Sequence, residues 1–405
     1  MSDSQARRPP FEQALTAAAA ERRERDQLRQ LQPLRWRADG LIDGPQGPLV
    51  DFCSNDYLGL ARDRQQAQVL ARAATDYGVG AGSAHAVCGH HPEHAKLERS
   101  LADWLQRPRA LLFSSGWSAA LGALDALLGR HDLCVQDRLN HACLLDGARL
   151  AQARLLRYPH ADHSAAESLL ASNHDRRALL VTDGLFSMDG DYAPMAELAA
   201  VCARQGAWLM VDEAHALGVT GPHGSGSAVA AGLGADQVPV LMGTFGKALG
   251  GFGAFIAGSD NLIECLIHQA RPHLFTTAMP PAWAACMASA VQRVSQAEDL
   301  RHALALRIAR FRTRAQALGL RTADSISPIQ LVLLDTESRA LAWASALADD
   351  GFAVKAIRPP TVPAGQSRLR ITLNVNQPLA AIDTLLESLA RLQDGERSSP
   401  LRHAS

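Results

Sequence analysis

The stretch LMGTFGKALGGFGA, residues 241 to 254, finishes the aliphatic run VPVLMGTF and then sets one lysine among apolar, small and hydroxylated residues. Lys247 has no charged neighbour for ten residues on its N-terminal side. An apolar run that ends this way reads as a buried strand delivering a lysine into a dry pocket. A desolvated ammonium readily changes pKa, which makes lysine an amine nucleophile or a Schiff-base partner. Outward from this stretch the same unit recurs: RALLF, DLCVQD, ARLLRYPH, RALLVTDG, WLMVDEA and GAFIAG are short apolar runs bounded by glycine or acids and separated by helical patterns. That alternation predicts a mostly parallel sheet covered by helices on both faces.

The chain has 405 residues, more than a single core of about 250–300 residues supports, so a large domain plus a smaller one is expected. We divide it into an N-terminal helical arm (1–55, with a helix over 11–31), a large α/β domain (56–283), a smaller α+β C-terminal domain (284–393) and a disordered polar tail (394–405). Lys+Arg 40 against Asp+Glu 41 gives a net charge of -1, so no global electrostatic term favours nucleic acid or an anionic membrane, and small-molecule partners are expected. Seven scattered cysteines without a CxxC pair read as reduced thiols. The first thirty residues carry acids and lack an apolar targeting core, and no run of about 18 apolar residues occurs. A cytoplasmic location without a membrane span is the expectation.

Ligands of open parallel sheets sit at the carboxyl ends of the strands, and the reactive residue types fall there. WLMVDEAH ends with Asp212 and places His215 three residues on; ALLVTDGLFS ends with Asp183 and Ser187; VPVLMGTFGK ends with Thr244 and Lys247. An amine and a carboxylate converging on one cleft suit pyridoxal 5'-phosphate (PLP), which needs a lysine at its aldehyde and an anion that keeps its pyridine nitrogen protonated. RALLFSSGWSAALG supplies a strand, a turn and a helix whose N-terminal amides at Ser115, Gly116 and Trp117 can meet a phosphate, with Thr244 adding a hydroxyl. His141, in DRLNHACLLDG, can lie flat against a heteroaromatic ring.

VDEAHALGVTGPHGSG (211–226) followed by TFGKALGG, with SNDYLGL (54–60), FSSGWSAA (113–120), DRLNHACLLDGA (137–148), FSMDGDYAP (186–194) and IRPPTVPAGQSRLRITL (357–373), resembles the α-oxoamine synthases. These are PLP-dependent transferases of fold type I that join an amino acid to an acyl thioester with loss of CO2. The resemblance runs from about residue 20 to 390. It implies that His141 stacks on the ring, Asp212 pairs with its nitrogen, His215 and Ser187 bond its phenolic oxygen and Lys247 holds the aldehyde. It further implies that Arg29, Asn55, Thr361 and Arg370 contact substrate, Arg370 as a bidentate carboxylate clamp. The FSMDGDYAP and IRPPTVPAG segments are most similar to the biotin-pathway branch, which implies L-alanine and pimeloyl-CoA or a pimeloyl carrier protein as substrates. Another branch, with a different amino acid or thioester, is the alternative. A homodimer in which Thr277 (or Thr276) reaches the other chain's phosphate is also implied.

Two segments depart from the family pattern. GAGSAHAVCGHHPEH stands where the family carries a GSGGSR-like segment, so Ala84 and His85 replace small residues, and Asp183 stands where the family has glutamate. Cys88, His90, His91 and His94 are dense in ligand types, with His90 and His94 expected on one helix face behind Pro92 at its first turn. No matching second ligand pair follows, so no metal site is expected. Ser118 gives a near miss of a hydrolase nucleophile elbow, lacking the second glycine. GVGAGS (78–83) follows a helix rather than a strand, the wrong context for a dinucleotide loop.

Overall fold

The computed structural model describes residues 10–25, 28, 31, 33–37, 40–44 and 47–397. Three short strands precede the central sheet: β1 (Arg35–Trp36), β2 (Ile42–Gly44) and β3 (Gly47–Asp51). The central sheet holds β4 (Arg109–Phe113), β5 (Leu133–Asp137), β6 (Arg154–Tyr158), β7 (Ala178–Asp183), β8 (Trp208–Asp212), β9 (Val240–Thr244) and β10 (Ala254–Gly258), in the order β4-β10-β9-β8-β7-β5-β6. Adjacent strands from β9 through β6 run parallel, and β10 is antiparallel to both of its neighbours. The last strands are β11 (Ile329–Asp335), β12 (Phe352–Ala353), β13 (Lys355–Ile357) and β14 (Ser367–Thr372), of which β11-β14-β13 form a separate antiparallel sheet.

Both faces of the central sheet are buried, which is why its strands read as continuous apolar runs. Successive side chains still alternate: Leu209 and Val211 enter one core cluster while Met210 enters another on the opposite face. Helices α2 (Arg64–Tyr77), α3 (Pro92–Leu105), α4 (Gly116–Leu127), α5 (Ala142–Leu150), α6 (His163–Ala171), α7 (Met195–Gln205), α8 (Ser227–Ala230), α9 (Asp260–Gln269) and α10 (Arg271–Leu274) follow α1 (Phe11–Glu24). Many start at a side chain that accepts from an otherwise orphan amide: Asp63, Ser115, Asp162 and Ser259 cap α2, α4, α6 and α9. The chain ends with α11 (Pro281–Ser295), α12 (Glu298–Ala317), α13 (Glu337–Asp349) and α14 (Leu379–Arg397).

Several boundaries differ from the sequence reading. Helix α1 stops at Glu24 with Arg25 after it, and Leu28 and Leu31 lie outside any helix; α1 buries none of its residues, so no packing supports a longer helix. A division at 283/284 cuts through α11, which packs on α2 and α3 of the large domain. The arm is tied to the C-terminal part, because β3 pairs in parallel with β12. Helix α14 runs through Asp394 to Arg397, and Gln393 near its end is buried. One core cluster joins Leu97, Leu112 and Leu241 of the large domain to Ile329, Leu369 and Leu385 beyond it. Pro92 occupies the first turn of α3, as read; His91 caps the helix, and His90 precedes the cap and so is not on it. Among the described residues no helix is long and apolar enough to cross a membrane.

Candidate active site

The carboxyl ends of β4, β5, β7, β8 and β9 converge on a cavity of about 170 Å3 whose wall includes Gly116, Trp117, His141, Asp183, Asp212, His215, Thr244 and Lys247. Register explains the meeting: Asp183 lies opposite Asp212 across β7 and β8, and Asp212 opposite Met242 across β8 and β9. Lys247 sits in the loop after β9, where the Gly250 amide donates to the Lys247 carbonyl at 2.8 Å. Gly250 has φ +67, and a Cβ there would collide with the Leu60–Ala61 backbone. Only glycine lets the loop fold this tightly against the SNDYLGL segment. A larger open groove of about 690 Å3, bordered by Arg72, Glu93, Lys96 and Trp104 between α2, α3 and α11, contains none of these groups.

Burial lowers the Lys247 ammonium from 10.5 to about 8, against the Asp212 and Asp183 carboxylates, which favour its charged form. Asp212 anchors its Oδ1 on the Ala214 amide at 2.9 Å. Burial, reinforced by neighbouring Asp212, pushes the Asp183 carboxyl well above its ordinary range. Its Oδ1 accepts from the His141 amide at 3.3 Å, while the Asp183 amide donates to Asn140 Oδ1 at 3.1 Å. Burial also holds His141 and His215 neutral. His141 caps α5: its Nδ1 accepts from the Cys143 amide at 3.4 Å and lies 2.9 Å from Cys143 Sγ. An acceptor role for Nδ1 assigns the ring proton to Nε2. Trp117 meets the same ring edge to face, with centroids 6.1 Å apart.

Arg370, on β14, reaches back to the large domain and the arm. Its Nε donates to the Ser187 carbonyl at 2.7 Å, Nη1 to Thr372 Oγ1 at 2.9 Å and Nη2 to Asn55 Oδ1 at 3.1 Å. Ser187 thus contributes its carbonyl, and it is not part of the cavity wall. Ser115 caps α4 through Ser118, and Ser118 bonds the hydroxyls of Ser114 and Ser115 rather than an imidazole, so it lacks the base a hydrolase nucleophile needs. Thr244 Oγ1 donates to the Gly253 carbonyl and accepts from the Gly246 amide. Thr277 is exposed and bridges Ala84, outside its own chain's cavity, and Thr361 is exposed in the loop after β13. Arg29 lies outside the described residues; its neighbour Leu28 accepts from Arg358 at 3.4 Å, in the same loop as Thr361.

Sequence reading missed Tyr57. Its buried phenol lies 2.7 Å from His215 Nδ1 and 3.5 Å from Asn55 Oδ1, and burial pushes its pKa up. A tyrosine inside SNDYLGL, beside the already suspect Asn55, was the available signal. The donor set fits PLP: one cavity offers a desolvated amine, a strand-end carboxylate and neutral imidazoles beside the N-terminal turn of a three-turn helix.

The class I and II aminotransferase family model matches residues 47–389. The chain is 48% identical to the 8-amino-7-oxononanoate synthase of Cellvibrio japonicus (strain Ueda107), over 95% of this chain and 96% of that protein. A high-resolution structure of SPT with a PLP internal aldimine superposes with a TM-score of 0.90 at 26% identity, covering 96% of this chain and 99% of that one. The crystal structure of 8-amino-7-oxononanoate synthase from Francisella tularensis superposes with a TM-score of 0.77 at 28% identity, covering 86% and 99%.

Proposed function

The chain belongs to the aminotransferase class I and II family, and we infer that it is a PLP-dependent acyltransferase. It joins L-alanine to a pimeloyl thioester with loss of CO2, giving 8-amino-7-oxononanoate for biotin biosynthesis. The observation that carries this reading is the placement of Lys247 and Asp212 on one small cavity, the amine brought down by burial to about 8. When bound, PLP supplies an electron sink for the pair left behind on the amino acid's Cα.

The protein's own groups do the rest. Asp212 holds a proton at the pyridine nitrogen, as a carboxylate beside a cation does. The α4 amides of Gly116 and Trp117, with Ser115 and Thr244, hold the phosphate. His141 would pack on the ring, and His215, steadied by Tyr57, would meet the phenolic oxygen. Arg370 is locked by Ser187, Thr372 and Asn55, which leaves a rigid fork for the substrate carboxylate. That hold sets the Cα–H bond so that Lys247, neutral once released, removes the proton and later returns one. Substrate contacts are assigned to Thr361 and to Arg29, the latter outside the described residues. The acyl donor is a thioester of CoA or of a carrier protein. The working form is a cytoplasmic homodimer, in which exposed Thr277 of one subunit reaches the phosphate of the other.

The test uses the purified holoprotein: L-alanine changes the visible absorbance of the bound cofactor, and pimeloyl-CoA then releases CO2. Lys247→Ala abolishes both responses. Wild-type turnover in that variant would falsify the role of the amine, and a spectrum indifferent to L-alanine would overturn the substrate.

A further inference from the structure

We propose that His85, His90 and His94 form a binding site for a first-row divalent transition metal ion, Zn2+ by preference, separate from the cavity around Lys247. A ring nitrogen of each lies within 4.8 Å of the others. His85 Nδ1 stands 2.9 Å from His90 Nδ1, two nitrogens sharing one proton. An ion takes that proton's place with little movement. Two bonds of about 2.05 Å at a tetrahedral angle span about 3.3 Å, so the rings part by only a few tenths of an ångström. Imidazole nitrogens suit Zn2+, Ni2+ or Cu2+ and disfavour Mg2+ and Ca2+.

The surroundings brace the ligands. His85 stacks on buried His273, with centroids 4.8 Å apart and 13° between planes, and His273 Nδ1 donates to the Leu112 carbonyl at 3.1 Å. His90 turns its second nitrogen toward Glu98, 3.9 Å from Oε2, whose other oxygen accepts from the Leu112 amide at 3.3 Å. A ligating histidine commonly donates its far N–H to a carboxylate, and a small rotation of the His90 ring would close this 3.9 Å gap to a hydrogen bond. His94 is buried: Nε2 donates to the Met279 carbonyl at 2.6 Å, and Nδ1 accepts from the His91 amide at 2.8 Å. Coordination through Nδ1 exchanges that one capping bond for a metal bond. The backbone is fixed by packing before any ion arrives, since a Cβ on Gly89, which closes the turn His85–Gly89, would collide with the Ser83 carbonyl. The same segment is stitched to the loop at Thr277 by the Ala84–Thr277 bridge and the Ala278 to Ser83 bond of 2.9 Å, so a bound ion stiffens the neighbourhood of Thr277.

The full-length holoprotein, cleared of metal with a chelator, is titrated with Zn2+ by calorimetry. One ion per chain binds; His85→Gln and His90→Ala weaken binding at least tenfold, Glu98→Gln weakens it about tenfold, and exposed His302→Ala leaves it unchanged. Zn2+ raises the Tm of the wild type but not of the His85 and His90 variants. No binding by the wild type, or equal affinity in the His85 and His90 variants, overturns the site. If either histidine variant fails to fold, Glu98→Gln decides: unchanged affinity there overturns it too.

Discussion

Capture of PLP by the cofactor-free protein reports the state of Lys247 directly, because only a neutral amine attacks an aldehyde. Burial brings the group from 10.5 to about 8. At about pH 7.5 an amine with a pKa of 8 is ~24% neutral, whereas one left at 10.5 is ~0.1% neutral, so the buried amine is ~240 times more available. The net displacement corresponds to about 3 kcal/mol, which is what lost ammonium solvation leaves after the Asp212 and Asp183 carboxylates have offset part of it, and no screening discount applies because the group is fully buried. The perturbation is Asp212→Asn, which deletes the largest influence holding the proton on Lys247. The assay is the rate of covalent cofactor capture at saturating PLP, followed by absorbance in a stopped-flow instrument from about pH 6 to 10. In the wild type the rate climbs with a midpoint near 8, and in Asp212→Asn the midpoint moves to lower pH. A wild-type midpoint near 10, or an upward move in the variant, refutes the assignment of a desolvated amine facing that carboxylate.

Three further outcomes are expected. Arg370→Lys raises the KM for L-alanine by about 10- to 100-fold while cofactor absorbance is retained, since a lysine lacks the fork that Asn55, Thr372 and Ser187 hold; steady-state kinetics with an unchanged KM would contradict this. Tyr57→Phe leaves His215 Nδ1 buried without its 2.7 Å partner, destabilising the site by about 1–3 kcal/mol; denaturant melts and kcat show a loss, and full activity at wild-type stability removes Tyr57 from the site. His160 bridges Asp137 at 3.1 Å and Asp191 at 2.7 Å; burial opposes its charge, but the two carboxylates win and raise its pKa to about 10. Because the folded-state value lies above the unfolded one, the bound proton stabilises the fold below about pH 6.5 and that contribution fades as pH rises through about 10. His160→Asn therefore loses most stability at low pH, and a stability gap that widens with rising pH would contradict it.

Local chemistry made much of the molecule legible. Apolar runs ending in acids, serines and one lysine signalled strands buried on both faces with ligands at their carboxyl ends, and Gly116, His141, Asp212, His215, Thr244 and Lys247 do line one cavity. Periodicity and end residues are short-range properties, so a linear reading captures them. Tertiary structure decided the pairings between distant segments. Tyr57 meets His215 across 158 positions, and Arg370 meets Asn55 across 315. His85 joins His94 only because the turn before α3 folds back over it and stacks His85 on His273. The antiparallel course of β10 and the parallel pairing of β12 with β3 likewise leave no local mark. Each depends on which apolar faces a shared core brings together, and that choice belongs to the packed whole rather than to any one stretch.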